Sequence, residues 1–136
     1  MDFMKSIAIA ASGLRAQAGR MRTIAENIAN ADSTSATPGG EPYRRKIATF
    51  RNEVDRALGA KIVAFGGVRT DPSQFRLKFE PGHPSADANG NVKYPNVNSL
   101  VEMTDMREAQ RSYEANMSVI GASRRMIQRT IEILKS

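Results

Sequence analysis

The sequence predicts a mainly α protein with a small β part: two long terminal helices forming an antiparallel coiled coil, with short antiparallel strands and loops between. Three observations carry this. Stepping by seven from Met106 lands on Tyr113, Ile120, Ile127 and Leu134, an apolar column that keeps one helix seam aimed at a partner. Stepping by seven from Ile7 gives Leu14, Met21 and Ile28, and from Met4 it gives Ala11, Ala18 and Ala25. Residues 32–98 are instead rich in Pro, Gly and Asn, with short alternating runs. The expected division is a helical coiled-coil domain built from 1–31 with 99–136, and a linker plus small β or extended segment over 32–98.

Residues 2–30 read as one helix. Asp2 caps its start, Ala is abundant and Pro is absent. Its length would be about 42 Å. The Ala column lets a partner helix approach closely, and the Ile7–Ile28 column locks the register. Gly13 and Gly19 lie off this seam and each weakens the helix by about 1 kcal/mol. Residues 31–42, ADSTSATPGGEP, form a breaker cluster, expected to be a turn or a flexible linker.

Over 43–80 the runs YRRKIATF, AKIVAFGGVRT and QFRLKF predict a small antiparallel sheet, punctuated at Gly66–Gly67 and Asp71–Pro72. Asn52 to Leu58 reads as a short helix or a loop. Phe75, Leu77 and Phe79 alternate with Arg76 and Lys78, the pattern of a strand with one wet face. Residues 81–98 are expected to run extended over a surface, around a turn signal at Asn89–Gly90. Asn98 or Ser99 caps the last helix, with Glu102 in its first turn. That helix would be about 50 Å long. Beside its apolar column runs a polar-small one, Asn116, Ser123 and Thr130. The seams therefore fit either an intramolecular helix pair or a multi-subunit bundle.

Composition narrows the function. A chain of 136 residues with 6% aromatics, no Trp and seven Met suits adaptable helix contacts better than a deep core. With no Cys, disulfides, thiolate catalysis and Cys-ligated metals are excluded. The net charge is +6, and residues 44–78 hold nine Lys and Arg against three acids. No apolar run approaches the roughly 20 residues that span a bilayer. The start, MDFMKSIAIAASG, has too short an apolar stretch for a cleaved signal, so any export uses another route.

Candidate chemistry is thin. His83 is the only His and sits in a Gly-His-Pro turn with too few helpers for a metal. Glu102, Asp105 and Glu108 read as favourable charge at a helix N-terminus. The Gly pairs are turns, not phosphate loops. Arg44, Arg45, Lys46, Arg51, Arg69, Arg76 and Lys78, interleaved with Tyr43, Phe50, Phe75 and Phe79, suggest either a nucleic-acid face or a solvated edge sheet facing an acidic neighbour. A basic nucleic-acid-binding protein and a coiled-coil regulator are thus the alternatives to a structural subunit. No catalytic residue, cofactor, metal or small-molecule substrate is expected.

The run ASGLRAQAGRMRTIAENIANA, Ala11 to Ala31, closely resembles the start of the axial proteins of the bacterial flagellum, the rod and hook family. Asn27, Ile28, Ala29 and Asn30 match its N-I-A-N motif. The following turn departs from the usual T-P-G-Y form: Thr37, Pro38 and Gly39 are split from Tyr43 and Arg44 by Gly40, Glu41 and Pro42. This extended form, with PGHPSADANGNVKYPNVN and the last helix, resembles the C-type proximal-rod branch of that family.

The resemblance implies a structural subunit, not an enzyme. It implies export by the flagellar type III apparatus without a cleavable signal, and assembly into the drive shaft of the basal body that crosses the periplasm. Terminal helices would form the axial core and the middle segment the outer part. The partners implied are other proximal and distal rod subunits, copies of the chain itself, and the membrane ring or its adaptor, with no nucleic acid. On this basis the Met106 column is expected to meet the Ile7–Ile28 seam within one subunit. The Asn116–Thr130 side and a flank of Met103, Met117 and Ile131 would then meet other subunits.

Overall fold

The computed structural model describes residues 2–136. Helix α1 covers Phe3–Ala29 and helix α2 covers Ser99–Lys135. Asp2 caps α1, its Oδ1 accepting from the Lys5 N–H at 3.0 Å. Asn98 caps α2, its Oδ1 accepting from the Leu100 and Val101 N–H groups at 3.1 and 3.4 Å. Between the helices lie four strands: β1 (Lys46–Asp55), β2 (Ala60–Thr70), β3 (Arg76–Phe79) and β4 (Asn91–Tyr94).

The strands form two separate two-stranded sheets, β1-β2 and β3-β4, not one sheet. Asn52 to Leu58 is neither helix nor loop at first: β1 continues to Asp55. Asp55 Oδ1 then accepts from Ala57 N at 2.9 Å and Leu58 N at 3.2 Å, and Gly59 takes φ +62 to close the turn. Thr49 faces both Gly66 and Gly67; its hydroxyl donates to the Gly67 carbonyl at 3.0 Å, and Gly67 has φ +93.

Residues 81–98 run over a surface only in part: Pro81, Gly82, Pro84, Ala88 and Asn89 are exposed, but the segment turns inward from Gly90. Val92 and Val97 are among the most buried residues, Pro95 is also fully buried, and 91–94 pair with β3 from Arg76↔Tyr94 to Phe79↔Asn91. The turn signal at Asn89–Gly90 ends an eleven-residue connection, 80–90, and is not a tight hairpin. Asp87 Oδ1 holds that end, accepting from Asn89 N and Asn91 N at 2.9 Å each.

Contacts divide the chain into two units. Among the described residues, one comprises 2–21, Ala48–Gly67 and Arg107–Ser136; the other comprises Arg22–Ile47 and Val68–Met106. In the first, α1 and α2 run in opposite directions, since Gly13 lies against Asn116 while Arg20 pairs with Glu108 at 3.5 Å. The glycines enable this approach. A Cβ on Gly13 would sit 2.7 Å from Asn116 Nδ2, and one on Gly19 would sit 2.8 Å from the Phe65 ring. In the second unit the final turns of α1, the 31–45 segment, the β3-β4 ribbon and the first turns of α2 surround a polar cluster.

Candidate functional site

The inward residues of α1 are small or polar. Ala10, Ser12, Ala16, Thr23, Ile24 and Asn27 are buried. On α2 the buried residues are Glu102, Ala109 and Ser123. With half-buried Asn116 these fall on one seven-residue column. The polar-small column therefore turns inward within the chain, contrary to the expectation that it faces other subunits; only Thr130, further along, is exposed. The reason is steric: small residues on both helices permit close approach, and the larger side chains are displaced to the flanks.

The sequence-predicted seam residues occupy those flanks. Ile7, Ala11, Leu14, Ala18, Met21 and Ile28 on α1 are half-buried, while Met4 and Ala25 are exposed. On α2, Met106, Tyr113, Ile120 and Ile127 are half-buried, and Met103, Met117, Ile131 and Leu134 are exposed. Sixteen large apolar side chains are exposed among the described residues, nine of them on α2. The buried apolar set consists only of Ala, Val and one Ile. That is an inverted distribution for a self-contained domain, and exposed apolar surface on this scale marks an interaction site.

The second unit is held by a polar knot centred on Asn27, which is 1% exposed. Its Nδ2 donates to the Lys46 carbonyl at 2.8 Å and to Glu102 Oε2 at 3.5 Å. Its Oδ1 accepts from the Tyr43 hydroxyl at 2.7 Å and from Lys46 N at 2.9 Å. All four hydrogen-bonding positions of the amide are thus used. Asn27 and Tyr43 were singled out by the family motif; the knot supplies their physical role, which is to join the end of α1 to the start of β1.

Arg45 is the second hub. Its Nε donates to Glu102 Oε1, its Nη1 to Asp71 Oδ2 at 3.2 Å, and its Nη2 lies 3.8 Å from Asp105. The Glu102 carboxylate lies in the first turn of α2, where the helix dipole favours it, and, fully buried, it also anchors α2 on Arg45. Asn96 adds backbone bonds: its Oδ1 accepts from Arg45 N at 2.8 Å, and its Nδ2 donates to the Asp71 and Ser73 carbonyls at 3.2 and 3.1 Å. Arg45, Asp71, Asn96 and the buried Glu102 were not recognisable as a group in the sequence. Glu102 and Arg45 stand 57 residues apart, and no local pattern connects them.

Local fields follow from this packing. Burial, then the nearby Glu26 and Glu102 carboxylates, push the Tyr43 phenol up to about 12. Asp71 is held below the usual carboxylate range mainly by the backbone N–H and hydroxyl of Ser73, with Arg45 adding to the effect against burial. Burial works against the Arg45 charge, but its pairs with Glu102 and Asp71 outweigh it and raise the guanidinium further.

The remaining motif residues pin the loops. Asn30 Nδ2 donates to the Glu26 carbonyl at 2.9 Å at the end of α1. Pro38 is exposed, and Gly39, with φ +69, donates its N–H to the Ser85 carbonyl at 3.2 Å. Ser85 in turn donates its hydroxyl to the Ser35 carbonyl. The 31–42 segment is therefore tied to the 81–90 connection, not left as a free linker. Arg44 donates to the carbonyls of Asp71 and Ser73 at 3.0 and 2.9 Å and covers the Phe75 ring at 4.1 Å.

Several cations of the expected basic face are thus committed internally. The polar-knot unit holds eight Lys and Arg against eight acids, so the net +6 resides in the other unit. His83 accepts at Nδ1 from Ser85 N at 3.0 Å, a turn contact. Among the described residues no three metal-ligating side chains come together, and no helix is long and apolar enough to cross a membrane.

Two long helices with small residues buried and large apolar side chains left open have the surface of a protein that assembles with others. Family models agree: one for flagella basal body rod proteins matches residues 7–36, and one for the C-terminal part of flagellar basal body rod FlgEFG proteins matches 88–133. The flagellar basal-body rod protein FlgC of Agrobacterium fabrum is 51% identical over 128 residues, covering 94% of this chain and 92% of the relative. Those of Salmonella typhimurium and Bacillus subtilis are 41% and 35% identical, covering 98% and 99% of this chain and 98% and 100% of the relatives. The chain belongs to the FlgC family of flagellar basal-body rod proteins. It is a structural subunit of the basal-body rod and assembles with other rod components; the relatives are structural proteins, not enzymes.

Proposed function

We propose that the open flanks of α1 and α2 are the subunit–subunit interface of the rod, packed against neighbouring helices in the manner of a coiled coil. The observation that carries this is the distribution of apolar residues: large ones exposed, small ones buried. Eleven of the sixteen lie on the two helices, and fully burying each such side chain on assembly contributes about 1.5–3 kcal/mol. The interface residues are Met4, Ile7, Leu14, Met21 and Ile28 with the small Ala11, Ala18 and Ala25. On α2 they are Met103, Met106, Tyr113, Met117, Ile120, Ile127, Ile131 and Leu134.

In this reading 1–31 with 99–136 form the axial core and 32–98 the outer part. Export goes through the flagellar type III apparatus. The neighbours are other rod subunits, copies of the chain, and the membrane ring or its adaptor. The chain has no catalytic role, binds no nucleic acid or small molecule, and serves motility by transmitting torque through interlocked helices.

The test is Ile120→Asp and Leu134→Asp in motile cells. Leu134 is 79% exposed, so its substitution should move the stability of the purified chain by no more than about 0.5 kcal/mol. Export of both variants should persist, while incorporation into rods and swimming are lost. Normal rods built from either variant would refute the interface.

A further inference from the structure

The β3-β4 ribbon faces the wrong way for a strand pair that closes a domain. Its register puts Leu77 opposite Lys93 and Phe79 opposite Asn91, so Leu77 and Phe79 share one face. They are 64% and 70% exposed, whereas Val92, opposite Lys78, is fully buried. β4 is therefore the inner strand, and the apolar side of β3 is left in water. β3 also has a bare edge, because β4 occupies its one partnered side.

β1 has a bare edge too, since its sheet is β1-β2. Its distal end alternates Val54, 64% exposed, with Glu53 and Asp55. Charge sorts these edges. β2 carries Lys61 and Arg69, and β3 carries Arg76 and Lys78. The distal end of β1 carries the acids. Pairing β3 with β3, or β3 with β2, sets cation against cation, which is unfavourable across strands. The β1 end meets β3 with opposite charge and sets an apolar residue against an apolar residue. The present partners do not oppose this: Glu53 pairs with Arg51 at 2.7 Å and Lys78 with Glu80 at 3.2 Å, both at exposed positions where such pairs contribute little.

We propose that the distal end of β1 in one copy adds to the free edge of β3 in another copy, making an inter-copy sheet in the order β2-β1-β3-β4. The occupant of the Leu77–Phe79 face is thus a second copy of this chain, presenting Val54 between Glu53 and Asp55. The contact joins two different patches, so it is head-to-tail and each copy keeps one free patch for the next. It rests on the rod-subunit reading, in which copies stand side by side, but uses neither helix flank.

The chain has no Cys, so the contact can be trapped cleanly. Purified full-length Val54→Cys/Leu77→Cys chain, concentrated and oxidised with copper phenanthroline, should give a ladder of disulfide-linked oligomers. Either single variant should remain monomer with trace dimer. In the ladder-forming background, Glu53→Lys or Lys78→Glu should each reduce cross-linking about tenfold, and the two together should restore it. Should the cysteine variants fold poorly by circular dichroism, sedimentation of the charge variants alone decides, through the same loss and recovery of self-association. No ladder, a ladder from single variants, or indifference to charge reversal would overturn the inter-copy sheet. Ile120→Asp separates the two readings: it should lose rod incorporation and keep the ladder. A ladderless double-cysteine chain that still builds rods refutes the sheet and leaves the subunit reading intact.

Discussion

Replacing Asn27 by Ala removes the centre of the polar knot. Four bonds disappear, to Tyr43 Oη, Lys46 N, Lys46 O and Glu102 Oε2. The Glu102 carboxylate keeps Arg45. The other three groups lose the partner that Asn27 supplied, and water reaches them only in part because Tyr43 and Lys46 are half-buried. A buried group left unpaired costs about 1–3 kcal/mol; at the lower end, for three half-buried groups, the loss is about 3–4 kcal/mol. For a chain of this size about 3–5 °C accompanies each kcal/mol, so Tm should fall by about 9–20 °C. Thermal and urea unfolding of the full chain, followed by far-ultraviolet circular dichroism, measures it. Tyr43→Phe removes a single donor and should cost about 1 kcal/mol, scaling the result. A loss below about 1 kcal/mol for Asn27→Ala would refute the reasoning, because the knot would then be exchangeable for water at no net cost.

Three further predictions address a close helix contact and the buried ion pair. Gly19→Ala raises intrinsic helix propensity by about 1 kcal/mol, yet its Cβ would meet the Phe65 ring at 2.8 Å. A net destabilisation of about 1–2 kcal/mol by urea titration is therefore expected, and net stabilisation would contradict the close contact. Glu102→Gln should cost about 3 kcal/mol, because Arg45 loses its buried counter-charge. The Arg45→Met/Glu102→Met double variant should cost less than the sum of its singles, with a coupling of about 1–3 kcal/mol in a double-mutant cycle; strict additivity would dissolve the pair.

The pH dependence has a definite sign. The Asp71 carboxyl is depressed in the folded chain, so its stabilisation is complete above the ordinary carboxylate range and is lost as pH falls through the folded value. Tm should be flat between about pH 5 and 7 and decline below about pH 4. Asp71→Asn should flatten that decline, and an unchanged acid slope would exclude Asp71 from the response.

The sequence by itself determined the two helices, their caps at Asp2 and Asn98, the three strands rich in β-branched and aromatic residues, and the rod family through Asn27, Asn30 and the extended turn before Tyr43. These are local or short-period signals, and hydrophobic periodicity encodes them directly. The fourth strand was not legible, because Asn91–Tyr94 is short and follows a turn-rich run that reads as loop. Nor was the burial of Val92 and Val97, which depends on what the ribbon rests against. The knot was legible only in part: the motif named Asn27 and Tyr43, but Arg45, Asp71 and Glu102 become partners only when segments dozens of residues apart meet.

Tertiary structure alone decided which side of each helix turns inward. A seven-residue period marks columns without saying which column a partner takes. Here the choice falls to close approach at Gly13, Ala16 and Gly19. Small residues let α2 and Phe65 come near α1, so the Glu102–Ser123 column is buried and the large Met, Ile and Leu side chains remain at the surface.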